Sequence, residues 1–492
     1  MNAFSRRGAC PALSAPMQTG DGLLVRLNPV AGGLLPKSLI GLGESALRHS
    51  NGIMEVTARG SLQIRGLTAE SARLLAAEVD ALGIAARTGV PVEIGPLAGI
   101  DPQEIADPRP LAERVRAAIE EAGLTARLGP KVSVIVDGGG QLALDALTAD
   151  VRLKAVQATA GVRWSVSVAG DERSAKPLAA VEEDAARDIT VAILRMVAEK
   201  GREAHTRDLS ERQLNSLASW HSVPPPSVLP DISPARGEIG SSAHGSFLAS
   251  LAISEGRNER AISPLAGEMS GRTEGGAQER RPARSPIGTF GLADNHAVGI
   301  GLPFGSMPAQ NLIEFVGQAL QLGSTEIRMA PGRALLLLGL TPPACSSLQG
   351  AASTLGFVTA ASDPRTRIAA CPGTPACASG RIATRAIAET IAKESADLLD
   401  SSLTLHVSGC AKGCAHPGPA ALTLVGDENG AGLVVDGTAK ALPAGYRPGY
   451  DAAHGVAGIA AALRDARHPG ETAAACLARL GAEGIAELYR RN

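Results

Sequence analysis

The chain has 492 residues, of which 45% are hydrophobic and 20% charged, with a formal net charge of −2. That length suits several domains, and the near-neutral balance gives no global basic field to draw nucleic acid. No apolar run reaches the roughly 20 residues that a membrane helix needs. Aromatic residues make up only 2%, so the core must be built from Leu, Ile, Val and Ala. The N-terminal stretch MNAFSRRGACPALSAP has two arginines but no apolar segment behind them, so it does not read as a secretory signal. A reducing, cytoplasmic setting is expected, where disulfides are rare. The seven cysteines therefore call for another explanation.

In chain order, residues 22–27 alternate like a strand and residues 36–49 are amphipathic. Residues 53–67 read as a hairpin and residues 69–82 as a helix. An α/β region follows. In it, residues 131–137 read as a buried strand ending at a triple-glycine turn, and residues 181–200 as a helix. From 224 to 286 the chain is rich in Ser, Gly, Pro, Glu and Arg. There ISPARGE at 232–238 is echoed by ISPLAGE at 262–268. Such composition cannot bury enough apolar surface to offset ordering entropy, so the segment reads as a disordered, low-complexity insert. A basic docking segment around Arg280, Arg281 and Arg284 is the other reading.

The flanks of the insert repeat each other. Residues 297–302 read as a strand, 308–322 as a helix, 326–340 as a hairpin and the stretch to 355 as a helix. Both hairpins close on Gly-Leu, at Gly66-Leu67 and Gly339-Leu340. An internal duplication of this kind implies a pseudo-twofold architecture with a site where the halves meet. The expected class is α+β. Its two pseudo-twofold-related halves would each hold a ferredoxin-like unit and an α/β unit. The expected divisions are 1–85 (first ferredoxin-like unit), 86–223 (first α/β unit), 224–286 (insert), 287–360 (second ferredoxin-like unit) and 361–492 (second α/β unit). In the last, residues 382–395 read as a helix and 403–407 as a strand.

Four cysteines cluster in that last region. Cys371 and Cys377 form a C-x5-C, and Cys410 and Cys414 an S-G-C-x3-C after thirty-two intervening residues. A four-iron cubane needs four thiolates converging on one small body, and two short loops can supply them. Gly and Pro at 372, 373, 375, 409, 413 and 417 suit tight turns whose N–H groups reach cluster sulfurs. Structural zinc prefers cysteines two to four residues apart, which C-x5-C does not satisfy. Cys345 and Cys476 sit in apolar helical stretches and read as core, and Cys10 stands alone.

The C-x5-C with S-G-C-x3-C resembles the signature of nitrite and sulfite reductases, which couple sirohaem to a [4Fe-4S] cluster. Arg26, Arg59 and Lys131 fall where that family carries cations. Ser133 stands in place of its second lysine, and Ala421 in place of an acidic residue. The opening RGACPALSAPM at 7–17, followed by GDGLLVR at 20–26, resembles the precorrin-3B synthase family within the same superfamily. That resemblance implies oxygen-dependent hydroxylation of precorrin-3A at C20 with γ-lactone formation. It also implies a mononuclear non-haem iron, O2 as co-substrate and NADH as electron source. No dinucleotide fingerprint occurs in a strand–helix context, so a separate reductase is expected as partner. A tetrapyrrole bearing many carboxylates suits arginine forks. The substrate candidates are Arg26, Arg59, Arg65, Arg328 and Arg333, the arginines expected on the repeated strands, together with Lys131. His49, His296, His406 and His416 are the histidines weighed as iron ligands. Two alternatives stay open: a sirohaem-dependent sulfite or nitrite reductase, and a non-enzymatic iron–sulfur carrier.

Overall fold

The computed structural model describes residues 11–30, 32–159, 161–218, 232–233, 238–239 and 284–491. Cys10 and nearly all of the expected insert at 224–286 lie outside the described residues. The chain forms two compact units. One comprises Met1–Gly89, Gly95–Pro102 and Ser285–Asn492; the other comprises Val90–Ile94 and Gln103–Arg284.

The first unit contains both copies of the repeat. The first copy is a sheet ordered Met17–Thr19, Gly22–Leu27, Leu62–Leu67, Ile53–Val56, with helices Pro36–His49 and Ala69–Ala81. The second is a sheet ordered Gly288–Gly291, His296–Gly301, Ala334–Leu340, Glu326–Ala330, with helices Ala309–Gln321 and Pro342–Thr354. The Gly-Leu pairs have the same backbone cause. Gly66 and Gly339 have φ of 76° and 83°. Each lies beside a register shift against the neighbouring strand, between Leu23 and Val25 and between His296 and Val298. A glycine with positive φ is the usual residue at such a bulge. Side-chain caps repeat as well. The Thr68 hydroxyl accepts from Ser71 N–H at 3.1 Å and that of Thr341 from Ala344 N–H at 3.4 Å.

The copies exchange edge strands. Ser306–Pro308 of the second copy pairs with Ile53–Val56 of the first, and Gly33–Leu34 of the first pairs with Glu326–Ala330 of the second. Each donated strand closes an edge that would otherwise expose a row of unpaired N–H and C=O groups. Helices Pro36–His49 and Ala309–Gln321 pack closely, so that a Cβ on Gly43 would lie 2.7 Å from Ile313 Cγ1. The two copies share one apolar core, with Leu39, Leu42 and Leu75 beside Phe315, Leu337 and Leu348. The hairpin tips meet too, with Gly332 N–H donating to Ala58 O at 2.9 Å.

The third sheet of this unit runs Ile368–Ala370, Leu405–Ser408, Ala420–Asp427, Gly430–Gly437, Gly445–Arg447. Its first two pairings are parallel and its last two antiparallel. Helices Thr384–Glu394, Ala452–Ala466 and Ala473–Arg491 contribute to its core. The second unit repeats that pattern. Its strands run Val92–Ile94, Val134–Asp137, Ala149–Ala158, Gly161–Gly170, Lys176–Val181, again two parallel then two antiparallel pairings. The architecture is thus the α+β arrangement of two ferredoxin-like and two α/β pieces. The long strands Ala149–Ala158 and Gly161–Gly170 lie between the elements expected from sequence. Val181 ends a strand, so the helix expected from 181 begins at Glu183. No helix among the described residues is long and apolar enough to cross a membrane.

Candidate metal centre

The four clustered cysteines sit at the carboxyl ends of two parallel strands. Cys371 follows Ile368–Ala370, and Cys410 comes two residues after Leu405–Ser408. The parallel pairing of these strands brings the two loops side by side. All four thiols are free; Cys371 is buried and Cys414 exposed. Although the residue is exposed as a whole, partial desolvation of its sulfur pushes the Cys414 thiol up from its ordinary value. The thiols of Cys410, Cys371 and Cys377 push it the same way, so all three lie within electrostatic reach of Cys414.

The loops are built around missing side chains. A Cβ on Gly409 would lie 3.1 Å from Gly373 Cα, 3.2 Å from Gly380 Cα and 3.5 Å from Cys371 Sγ. Gly373 has φ of 63° and holds its turn against Thr384. Gly409 N–H donates to Cys371 Sγ at 3.2 Å. Thr384 Oγ1 donates to Cys371 O at 2.5 Å, and Cys377 N–H to Gly373 O at 2.7 Å. These contacts fix the sulfur-bearing backbone, and an amide aimed at a cysteine sulfur favours its thiolate form. Four thiols, a glycine cradle and an N–H···S bond fit a cubane. A single ion would need its ligands within about 2.3 Å of one point, and no three His, Cys, Asp or Glu among the described residues gather that way.

Beside the Cys410–Cys414 loop lies a histidine pair. His406 is fully buried, and neither ring nitrogen has a hydrogen-bond partner among the described residues. Its ring centroid is 5.8 Å from that of His416. Burial, then His416 and Arg333, lower its pKa to about 4, so it is neutral near pH 7. His416 bonds Pro419 O at 3.0 Å. His49 bonds Glu78 at 2.8 Å on the helix Pro36–His49, and His296 begins a strand of the second copy. These four histidines do not meet at one point.

The substrate candidates separate into two kinds. Arg65 is 2% exposed and bonds Asp21 through Nε at 2.8 Å and Nη2 at 3.0 Å. It also reaches Glu55 at 3.3 Å and Ala376 O at 2.6 Å. Arg328 is held by both oxygens of Glu326, at 2.8 and 3.1 Å, and by Pro96 O at 3.2 Å. Both guanidinium groups are engaged within the protein. Arg26 is half-buried and donates to Gln63 Oε1 at 2.6 Å. Arg59 and Arg333 are not on strands. They occupy the two hairpin turns, because the chain reverses at Gly60 and Gly332, with φ of 82° and 88°. Arg333 itself has φ of 66°, a strained conformation for a non-glycine residue. It is half-buried and donates to Ala415 O at 3.2 Å, one residue past Cys414. Burial and nearby Arg385 lower its pKa. Lys131 belongs to the other unit, where it is exposed ahead of the strand Val134–Asp137.

Sequence reasoning missed Asp21, Glu55 and Arg385. Glu55 is 3% exposed and accepts from Gln63, Arg65 and Arg385. Its placement in the middle of an apolar strand was the available signal, since a carboxylate buried there must be paired.

A model of the nitrite/sulfite reductase ferredoxin-like half domain matches residues 15–82. A protein named precorrin-3B synthase from a Sinorhizobium species is 38% identical over 490 residues, spanning 100% of this chain and 96% of that relative. The chain belongs to the precorrin-3B synthase family. Membership makes it an enzyme. The solved structure of the Mycobacterium tuberculosis NirA protein superposes on 94% of this chain and 84% of its own, with a TM-score of 0.66 at 17% identity. At that identity the likeness concerns the fold alone, and it is the reductase-type fold expected from the duplication.

Proposed function

We propose that the protein catalyses the oxygen-dependent hydroxylation of precorrin-3A at C20, with γ-lactone formation from the ring A acetate, in aerobic cobalamin biosynthesis. The observation that carries this reading is the identity of 38% across the full chain to a precorrin-3B synthase. One atom of O2 enters the product and the other leaves as water. The two electrons and two protons required come from NADH through a separate reductase. A cytoplasmic setting suits such a partner.

Cys371, Cys377, Cys410 and Cys414 would hold a [4Fe-4S] cluster, and the glycine cradle and the Gly409 N–H support that assignment. When bound, such a cluster supplies electrons one at a time. Arg333, strained and beside the Cys410–Cys414 loop, would orient a substrate carboxylate, and Arg59 and Arg26 would bind others. Arg65 and Arg328 have less capacity to do so, because protein acceptors already occupy them. For the mononuclear iron implied by the resemblance, the sequence and the described residues name no ligand set. The expected divisions of the chain stand as part of this proposal, with 224–286 as an insert that the cluster does not need.

The test begins with the absorption spectrum of anaerobically purified protein. Iron–sulfur absorption without haem bands, followed by conversion of precorrin-3A under oxygen, is the expected result. Sirohaem bands with sulfite or nitrite reduction would overturn it.

A further inference from the structure

A clamp joins the first sheet to the Cys371–Cys377 loop. The turn after Met17–Thr19 approaches that loop so closely that a Cβ on Gly20 would lie 2.6 Å from Ala378 N and 2.8 Å from the Cys377 carbonyl carbon. Gly20 N–H donates to Ala376 O at 3.2 Å. Arg65 Nη2 donates to the same oxygen at 2.6 Å. Asp21, in the turn, accepts from Nε and from the same Nη2 of Arg65, and Thr19 Oγ1 donates to Asp21 at 2.7 Å. Behind Arg65 stands Glu55, which also takes Arg385 at 2.5 Å. Arg385 lies on the helix Thr384–Glu394, whose first residue bonds Cys371 O. Both ends of the C-x5-C loop are thus tied to one charge network, in which Asp21, Glu55 and Arg65 come from the first ferredoxin-like copy and Arg385 from the helix beside the loop.

We propose that the Asp21–Arg65 pair, with Gly20, is a positioning device for Cys377, so that the cluster is assembled and tuned by the first half of the repeat although all its thiolates come from the second. This rests on the reading of the four cysteines as cluster ligands. Arg65 is then a positioning residue and does not bind substrate. The physical reason is direct. Ala376 O immediately precedes Cys377, and a carbonyl held by two donors fixes the peptide from which that thiolate projects. Arginine suits the position better than lysine because one planar fork meets a carboxylate and a carbonyl together.

The full-length protein tests this in three variants, R65M, R65K and G20A, beside R114M. The last breaks the Arg114–Glu183 pair of the other unit as a control. Iron and sulfide content, the electron paramagnetic resonance of the reduced cluster and its midpoint potential are measured after anaerobic purification. Removing an outer partner of a metal ligand is expected to weaken retention about 10- to 100-fold, read as the rate of cluster loss to a chelator. R65M and G20A should lose the cluster faster and show an altered resonance or potential. R65K should recover part of the loss, and R114M should behave as wild type. G20A leaves every charge in place, so its loss of cluster in a chain with unchanged circular dichroism separates positioning from misfolding. Wild-type retention, resonance and potential in both R65M and G20A would overturn the proposal. A wild-type protein without iron–sulfur absorption would instead overturn the cluster reading on which it rests.

Discussion

Replacing Gly373 by alanine tests the cradle at its tightest point. The residue has φ of 63°, which costs an L-residue about 1–2 kcal/mol. The new Cβ would lie 2.4 Å from Thr384 Oγ1, 2.7 Å from Ile382 O and 2.8 Å from Thr384 N. Two of those atoms are backbone at the start of a helix and cannot swing aside, so overpacking adds about 1–3 kcal/mol. Together the change should destabilise the loop by roughly 2–5 kcal/mol, less than the ~5–15 kcal/mol that holds an ordinary domain together. The chain should therefore fold, while the displaced Thr384 hydroxyl loses Cys371 O and the C-x5-C loop opens. Urea unfolding and iron content after anaerobic reconstitution check both halves of the argument. Gly350 gives the opposite sign. It is exposed on the helix Pro342–Thr354 with nothing within 4 Å of a new Cβ, so G350A should stabilise by about 0.5–1 kcal/mol. Wild-type stability and iron content in G373A would refute the reasoning.

Further outcomes follow from the same geometry. R328M should lower stability by about 1–3 kcal/mol and speed hydrogen exchange at residues 95–102, because Arg328 holds Pro96 O and Ala98 O; unchanged exchange there would contradict that role. In the metal-free protein, His406 has its pKa lowered to about 4 from 6.5. The unfolded chain then binds a proton first, so stability present above pH 6.5 is lost as pH falls toward 4, by about 3 kcal/mol. H406F should flatten that slope in urea titrations between pH 7 and 5, and an unchanged slope counts against it. Glu78 is held at about 2 by Arg48, Ser45 and His49. Its contribution is present above the usual carboxylate range and lost as pH falls toward 2. It is partly exposed, so E78Q should cost under about 1 kcal/mol at pH 7, measured by thermal unfolding. Deleting residues 236–280 should leave folding and iron content intact, and loss of iron would show that the segment is needed.

Much of this was legible because local rules and tertiary structure agree. The helices Pro36–His49 and Pro342–Thr354 follow their apolar period, and Gly66 and Gly339 mark the same bulge in both copies. The cysteine pairs are local in sequence, so their spacing reveals the loops. The exchanged strands were not legible. Gly33–Leu34 and Ser306–Pro308 are two and three residues long, too short to show a period, and their partners are hundreds of positions away. The arginines show the same limit. Sequence supplies the cations, while the partner of each depends on which loop folding brings to it. Arg65 meets Ala376 across 311 positions, and Arg333 meets Ala415 across 82.

The most direct measurement is turnover of precorrin-3A by the reconstituted protein under labelled dioxygen, with reductase and NADH supplied. The account predicts a lactone product carrying one labelled oxygen atom, and none from C414A. An intact cluster with no labelled product would contradict it.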